Sequence, residues 1–360
     1  MTVVDARARR RALATLDHPQ PEAHHAVSAP VAFALGGLAG GNGFGAGFLE
    51  AVRQRGLRPS AISCTSGMIV WTARFLAGDD LRQQFQQELA QTPAGQGLPN
   101  PLASAVLGLK GLPGVFRPAL GEYWARWAQW PAASWAQTLV DRTWPVQTAI
   151  PTRPESFFVE VAEQLNASEV AVLFNAFCPP TGEEYLFLNP AAMCHLGRSP
   201  GERRQRQVFQ PISAQAVKAA LHLYAYGHEQ LYLGQHLIDG AYHRQFILDE
   251  LCELSGQAKP ARLWTVRPQN ACWIGRMPAN YFEQRDMETE IGMNSNYAGQ
   301  VQRIELVNRL IGGGELKSGR YRQVELRPFE FAGQRGFFDY FNENQAVFDM
   351  ACDKAMAALV

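Results

Sequence analysis

A three-layer α/β/α sandwich around a mainly parallel central sheet, with a helical Trp-rich insertion, is the fold class this sequence predicts. Three observations carry it. Val31-Ala32-Phe33-Ala34-Leu35 and Ala61-Ile62-Ser63-Cys64 are short apolar runs of the kind found in strands buried on both faces. A helical stretch, Phe48 to Arg55, lies between them, and parallel neighbours require such a crossover. Apolar strand-like runs recur downstream, at Glu169 to Asn175 and Arg262 to Val266, among stretches of helical period.

Taken in order, residues 1–29 are polar, rich in Ala, Arg, His and Pro, and aperiodic, the composition of a mobile tail. The pair His24-His25 falls in this tail and reads as solvated side chains, not a metal site. Val31 to Leu35 then leads into a loop with seven glycines between Gly36 and Gly47, followed by the helix ending at Gly56. Pro59 and Ser60 open the second strand, and Ser66 sits at the turn from that strand into a second apolar helix. A βαβα unit therefore spans residues 31–77.

Residues 79–154 differ in character. They open with a Gln-rich helix, Leu81 to Gln91, and become rich in Pro, Gly and Trp. Trp124 and Trp127 share a helical face, with Trp130, Trp135 and Trp144 close behind. The insertion reads either as aromatics packed on the domain or as a lid or peripheral membrane contact, because tryptophan suits an apolar–water boundary. Regular α/β character resumes at Ser156. Strands are expected at Glu184 to Leu188 and Tyr321 to Leu326, and helices over Ala214 to Tyr226, 297–311 and 337–358. No repeat or linker divides residues 30–360, which read as one domain.

Composition excludes several classes. Lys+Arg and Asp+Glu balance at 33 each, so the basic excess of a nucleic-acid binder is missing. No apolar run reaches the roughly 18 residues of a membrane span. The basic Arg7 to Arg11 stretch is not followed by an apolar segment, so no secretory signal is expected. Six cysteines without a C-x-x-C pair read as reduced thiols of a cytoplasmic protein.

Three stretches bear chemistry. Cys64-Thr65-Ser66-Gly67-Met68, between strand and helix, has the layout of a nucleophile elbow, with Gly67 supporting the turn. Both outer glycines of the G-x-S-x-G pattern are replaced, by Cys64 and Met68. The glycine loop allows two readings. Gly41 to Ala46 fits the dinucleotide pattern G-x-G-x-x-A, but the acidic residue expected about 20 residues further on is missing. The second reading is an oxyanion hole built from backbone N–H groups and a helix N-terminus. The third stretch is Asp239-Gly240-Ala241, a carboxylate at the end of an apolar strand with Gly240 supporting the turn. None of the eight histidines follows Ser66 in a triad context. His243 is the nearest alternative base. A Ser66–Asp239 dyad needs no histidine, since the aspartate accepts the serine proton directly.

The order of glycine loop, serine elbow and Asp-Gly-Ala resembles the patatin-like phospholipase family over most of the chain beyond the tail. That resemblance implies a lipid acyl hydrolase working through an acyl-serine, with Ser66 as nucleophile, Asp239 as base, and no metal or organic cofactor. It places the oxyanion at the N–H groups of Gly37 and Leu38, with Gly36 and Gly41 shaping the loop. It implies a lipid or acyl-ester substrate, with no nucleic-acid partner. The sequence departs from the family pattern at Leu38, Gly40, Cys64 and Met68, and bulk at the last two predicts a strand and helix set further apart at the elbow. An acyltransferase or thioesterase would use the same dyad with another acceptor. A non-catalytic acyl-binding protein and a nucleotide-binding oxidoreductase are the other classes compatible with these stretches.

Overall fold

The structure, a computed structural model, describes residues 29–91, 112–118, 121, 125, 136, 149–223, 230–316, 322–333 and 343–359. The expected tail and Trp124, Trp127, Trp130, Trp135 and Trp144 lie outside the described residues. The first half of the chain runs β1 (Val31–Leu35), α1 (Asn42–Gln54), β2 (Ala61–Cys64), α2 (Met68–Ala77), α3 (Leu81–Gln91), β3 (Phe116–Pro118), β4 (Ala149–Pro151) and α4 (Glu155–Ala167). It continues with β5 (Ala171–Cys178), β6 (Glu183–Leu188), α5 (Pro190–Leu196), β7 (Arg203–Arg204), β8 (Gln207–Pro211), α6 (Ala214–Ala220), β9 (Gln230–Tyr232) and β10 (Gln235–Asp239). The last elements are α7 (Leu248–Glu253), β11 (Arg262–Arg267), α8 (Tyr281–Gly312), β12 (Glu325–Glu330) and α9 (Gln345–Ala358).

The main sheet has the order β12-β11-β1-β2-β5-β6-β8-β7. Its strands from β12 to β5 are mutually parallel, and antiparallel pairing enters where β5 meets β6. Alternation along the strands divides the core in two. Phe33 and Leu35 of β1, Ile62 of β2 and Phe174 of β5 face a cluster shared with α1, α2, α4 and α9. Ala32, Ala34, Ala61 and Leu173 face the other side, against α5, α7 and α8. Helices thus cover both faces of a mostly parallel sheet, which is why its central strands β1 and β2 are almost wholly apolar.

Several elements differ from the sequence expectation in bounds. α1 begins at Asn42, not Phe48, so the second half of the glycine stretch, residues 42–47, is helical and buried. Its glycines are contact points: a Cβ at Gly47 would stand 2.2 Å from the Phe348 carbonyl oxygen, and one at Gly43 would stand 2.8 Å from the Phe85 ring. Close approach of α9 and α3 offsets the roughly 1 kcal/mol that each helical glycine costs. α8 begins well before residue 297, because the Asn280 side chain accepts from Glu283 N and Glu283 accepts from Ala279 N. The last strand is shifted to Glu325–Glu330 and includes Pro328, which is tolerated at the sheet edge. α6 stops at Ala220, short of the expected Tyr226.

Candidate active site

Strand register alone brings Ser66 and Asp239 together. β2 pairs with the first half of β5, ending with Cys64 opposite Phe174. β10 pairs antiparallel with the second half of β5, with Asp239 opposite Ala176. The two strands therefore approach head to head along one side of β5. Continued two residues further, β2 would put Ser66 at the position Asp239 takes.

Ser66 does not continue the strand; its φ is +54°. A non-glycine residue in this left-handed region carries roughly 1–2 kcal/mol of strain. The reversal begins α2 at once, with Ile69 N donating to Ser66 O at 3.0 Å. Ser66 is 6% exposed and Asp239 is fully buried, so the serine is the more accessible of the two.

Asp239 is held by its own turn. Its N–H donates to His222 O at 2.7 Å, and its Oδ1 accepts from Ala241 N at 2.8 Å. Oδ2 has no hydrogen-bond partner among the described residues. Burial pushes the carboxyl pKa up to about 6, while the nearby Ser66 hydroxyl and the Ala241 amide draw it partly back. The serine hydroxyl is thus close enough to act on the carboxylate.

The glycine loop lies against the elbow. A Cβ at Gly37 would stand 2.2 Å from Thr65 O and 2.5 Å from Ser66 Cβ, so only glycine fits there. The four loop residues expected around an oxyanion already donate their amides elsewhere. Gly36 N reaches Val266 O at 3.0 Å, Gly37 N reaches Thr65 Oγ1 at 2.9 Å, and Leu38 N reaches Asn42 Oδ1 at 3.1 Å; Gly41 N bonds Leu38 O. Gly37 and Leu38 therefore do not present open donors. The amides of Ala39, Gly40 and Gly67 find no acceptor among the described residues. Ala39, at φ +22°, adds a second strained residue to the site.

The departures at the elbow have local compensation. Met68 packs into the space left by Gly45, where a Cβ would stand 2.5 Å from the Met68 Sδ. A helical glycine thus accepts the methionine. Cys64 is buried with its Sγ 3.8 Å from Leu173 O, and burial pushes its thiol up to about 12, so it is an inert packing residue. Asn42, for which the sequence holds no signal, links several parts. Its side chain fills the space beside Gly67, and its Nδ2 donates to Leu112 O at 3.4 Å. Trp71 Nε1 donates to the same carbonyl at 3.2 Å, so residue 112 of the insertion is tied to the elbow. The Gly43 N–H at the start of α1 donates to Glu343 at 2.7 Å. The helix end that a dinucleotide's pyrophosphate would need is therefore taken by the protein's own carboxylate.

Behind Asp239, Gly240 packs against Asn175, with a hypothetical Cβ only 2.2 Å from Asn175 Oδ1. Asn175 Nδ2 donates to Glu184 Oε1 at 2.8 Å and to Arg244 O at 3.2 Å. Arg244 is buried between Glu184 and Glu250, at 2.6 and 2.7 Å. His243, the alternative base, is exposed and stacks on Phe177 at 4.8 Å between centroids. Among the described residues no cluster of His, Cys, Asp and Glu is arranged to hold a metal ion, and no helix is long and apolar enough to cross a membrane.

No family model matches the chain, and no curated protein does. Among solved structures it is similar to VipD from Legionella pneumophila, at 11% identity and a TM-score of 0.30 over 92% of this chain. The chain spans 66% of that protein's length, and so slight a likeness carries no weight in assigning a function.

Proposed function

We propose that this protein is a serine-dependent acyl hydrolase acting on carboxylic esters through an acyl-Ser66 intermediate. One observation carries the reading: a strained serine at a strand-to-helix turn abuts a fully buried aspartate whose Oδ2 has no partner among the described residues. A carboxylate with a pKa of about 6 accepts a proton near neutral pH more readily than an ordinary one.

In this scheme Asp239 takes the Ser66 proton as Oγ attacks the ester carbonyl carbon. The tetrahedral intermediate collapses, the C–O bond to the leaving alcohol breaks, and Asp239 returns the proton to that oxygen. Water then attacks the acyl-serine, giving its proton to Asp239. The carboxylic acid leaves as the Ser66 oxygen is reprotonated. The oxyanion falls to the amides not already engaged, at Ala39, Gly40 and Gly67; each such donor is worth roughly 3–4 kcal/mol in the transition state. That the acyl chain is a lipid's, and that the Trp-rich insertion touches a membrane surface, rests on the family resemblance and on tryptophan's preference for such boundaries.

The test is hydrolysis of p-nitrophenyl acyl esters. Ser66→Ala is expected to lower kcat about 10⁴-fold or more with the fold intact. Ser66→Ala turning over as fast as wild type would sink the mechanism.

A further inference from the structure

Two buried side chains, Thr65 and Gln245, converge on the glycine that touches the elbow, and a third, Gln269, braces Gln245. Gly37 N–H donates to Thr65 Oγ1 at 2.9 Å, and the Thr65 hydroxyl donates to Gln245 O at 3.1 Å. The Gln245 side chain returns to the loop, its Nε2 donating to Gly37 O at 3.0 Å. The peptide groups on both sides of Gly37 are thereby fixed in a closed circuit. Gln245 is itself held by Gln269: each side-chain amide donates to the other's oxygen, at 3.1 and 2.5 Å. Thr65, Gln245 and Gln269 are 1%, 2% and 0% exposed. Buried amides of this kind are costly unless fully satisfied, and an apolar filling of the same shape would serve packing alone at least as well.

We infer that Thr65 and Gln245 are positioning residues, which orient the Gly37 peptides and so direct the open amides further along the loop toward the reacting carbonyl. The inference rests on the acyl-hydrolase reading. Placement supports it. Thr65 directly precedes Ser66, so the same turn that presents the hydroxyl also sets the loop. Gln245 has a second face on a cavity of about 300 Å³, lined also by Tyr242, His243, Met293 and Asn296. It therefore links the loop to an open pocket that adjoins the Asp239 turn. With Gly37 held by Thr65 and Leu38 held by Asn42, the chain direction at Ala39 is determined. An oxyanion hole works through such preorganisation, because donors already aimed need not reorganise during the reaction.

The experiment compares wild type, Thr65→Val, Thr65→Ser and Gln245→Leu, each first checked for folding by circular dichroism. Steady-state hydrolysis of a p-nitrophenyl ester is measured beside inhibition by an acyl trifluoromethyl ketone, which forms an oxyanion on Ser66. Thr65→Val is expected to lose about 10²-fold in kcat with little change in KM, and to bind the ketone more weakly by a similar factor. Thr65→Ser keeps the hydroxyl and should recover most of both losses. Gln245→Leu, read in the same way, decides the matter should Thr65→Val not fold. Wild-type kcat and ketone affinity in these variants would overturn the clamp, and so would a rise in KM alone. Wild-type protein that neither hydrolyses the ester nor binds the ketone would overturn the hydrolase reading itself, and that failure shows before any variant is compared.

Discussion

Asp239 and Glu250 are both buried carboxylates flanking one short segment, and they are displaced in opposite directions. Burial raises both. At Asp239 only the Ser66 hydroxyl and a backbone amide oppose it, and the pKa stands at about 6. At Glu250 the Arg244 guanidinium, 2.7 Å away, more than offsets burial and holds the carboxyl below its ordinary range, with Gln207 adding a hydrogen bond at 2.6 Å. Arg244 is engaged by Glu184 and Glu250. A buried carboxylate with a cation is a strut; one without has a raised pKa, which suits it to the role of base proposed for Asp239. The chain places the strut directly behind Asp239, and Asn175 joins them by holding both the Gly240 and Arg244 carbonyls.

The contrast is broken most severely from the strut side. Arg244→Met leaves Glu184 and Glu250 buried without their cation and is expected to cost about 3–5 kcal/mol, read as a lowered urea midpoint. Asp239→Asn should do the reverse, abolishing ester hydrolysis while raising stability by about 1–3 kcal/mol. The sign follows from linkage. Asp239 has a folded pKa of about 6 against an ordinary value of 3.8, so the folded state binds the proton more tightly. Its contribution to stability is favourable at low pH and is lost as pH rises through about 6. The melting temperature of Asp239→Asn should therefore exceed wild type at alkaline pH, with the gap closing on acidification. In wild type, kcat/KM should climb through about 6 as the base ionises. A gap independent of pH would mean that Asp239 is not titrating in that range. The smallest effect is at the turn: Ser66→Gly should be more stable than Ser66→Ala by about 1 kcal/mol, since glycine adopts φ +54° without strain.

The centre of the sheet is legible in the sequence because β1, β2 and β5 are buried on both faces and read as apolar runs. Ser66 and Asp239 are legible as a serine at a strand-to-helix turn and a carboxylate at a strand end, although their adjacency depends on where β2 stops along β5. What escapes is contact made across long separations. Gly43, Gly45 and Gly47 look like a ligand loop in sequence, yet they are helical and receive Phe85, Met68 and Phe348. No local pattern shows that Thr65 and Asn42 engage the amides of Gly37 and Leu38. The early start of α8 does have a local signal, Asn280 followed by Glu283, which is a helix-capping pair.

That Ser66 is a nucleophile activated by Asp239 is tested most directly by labelling the folded protein with a fluorophosphonate probe and mapping the modified peptide. A single adduct on Ser66 is expected, formed faster as pH rises through about 6 and lost in Asp239→Asn. Protein that stays unlabelled, or an adduct on another residue, would contradict the dyad.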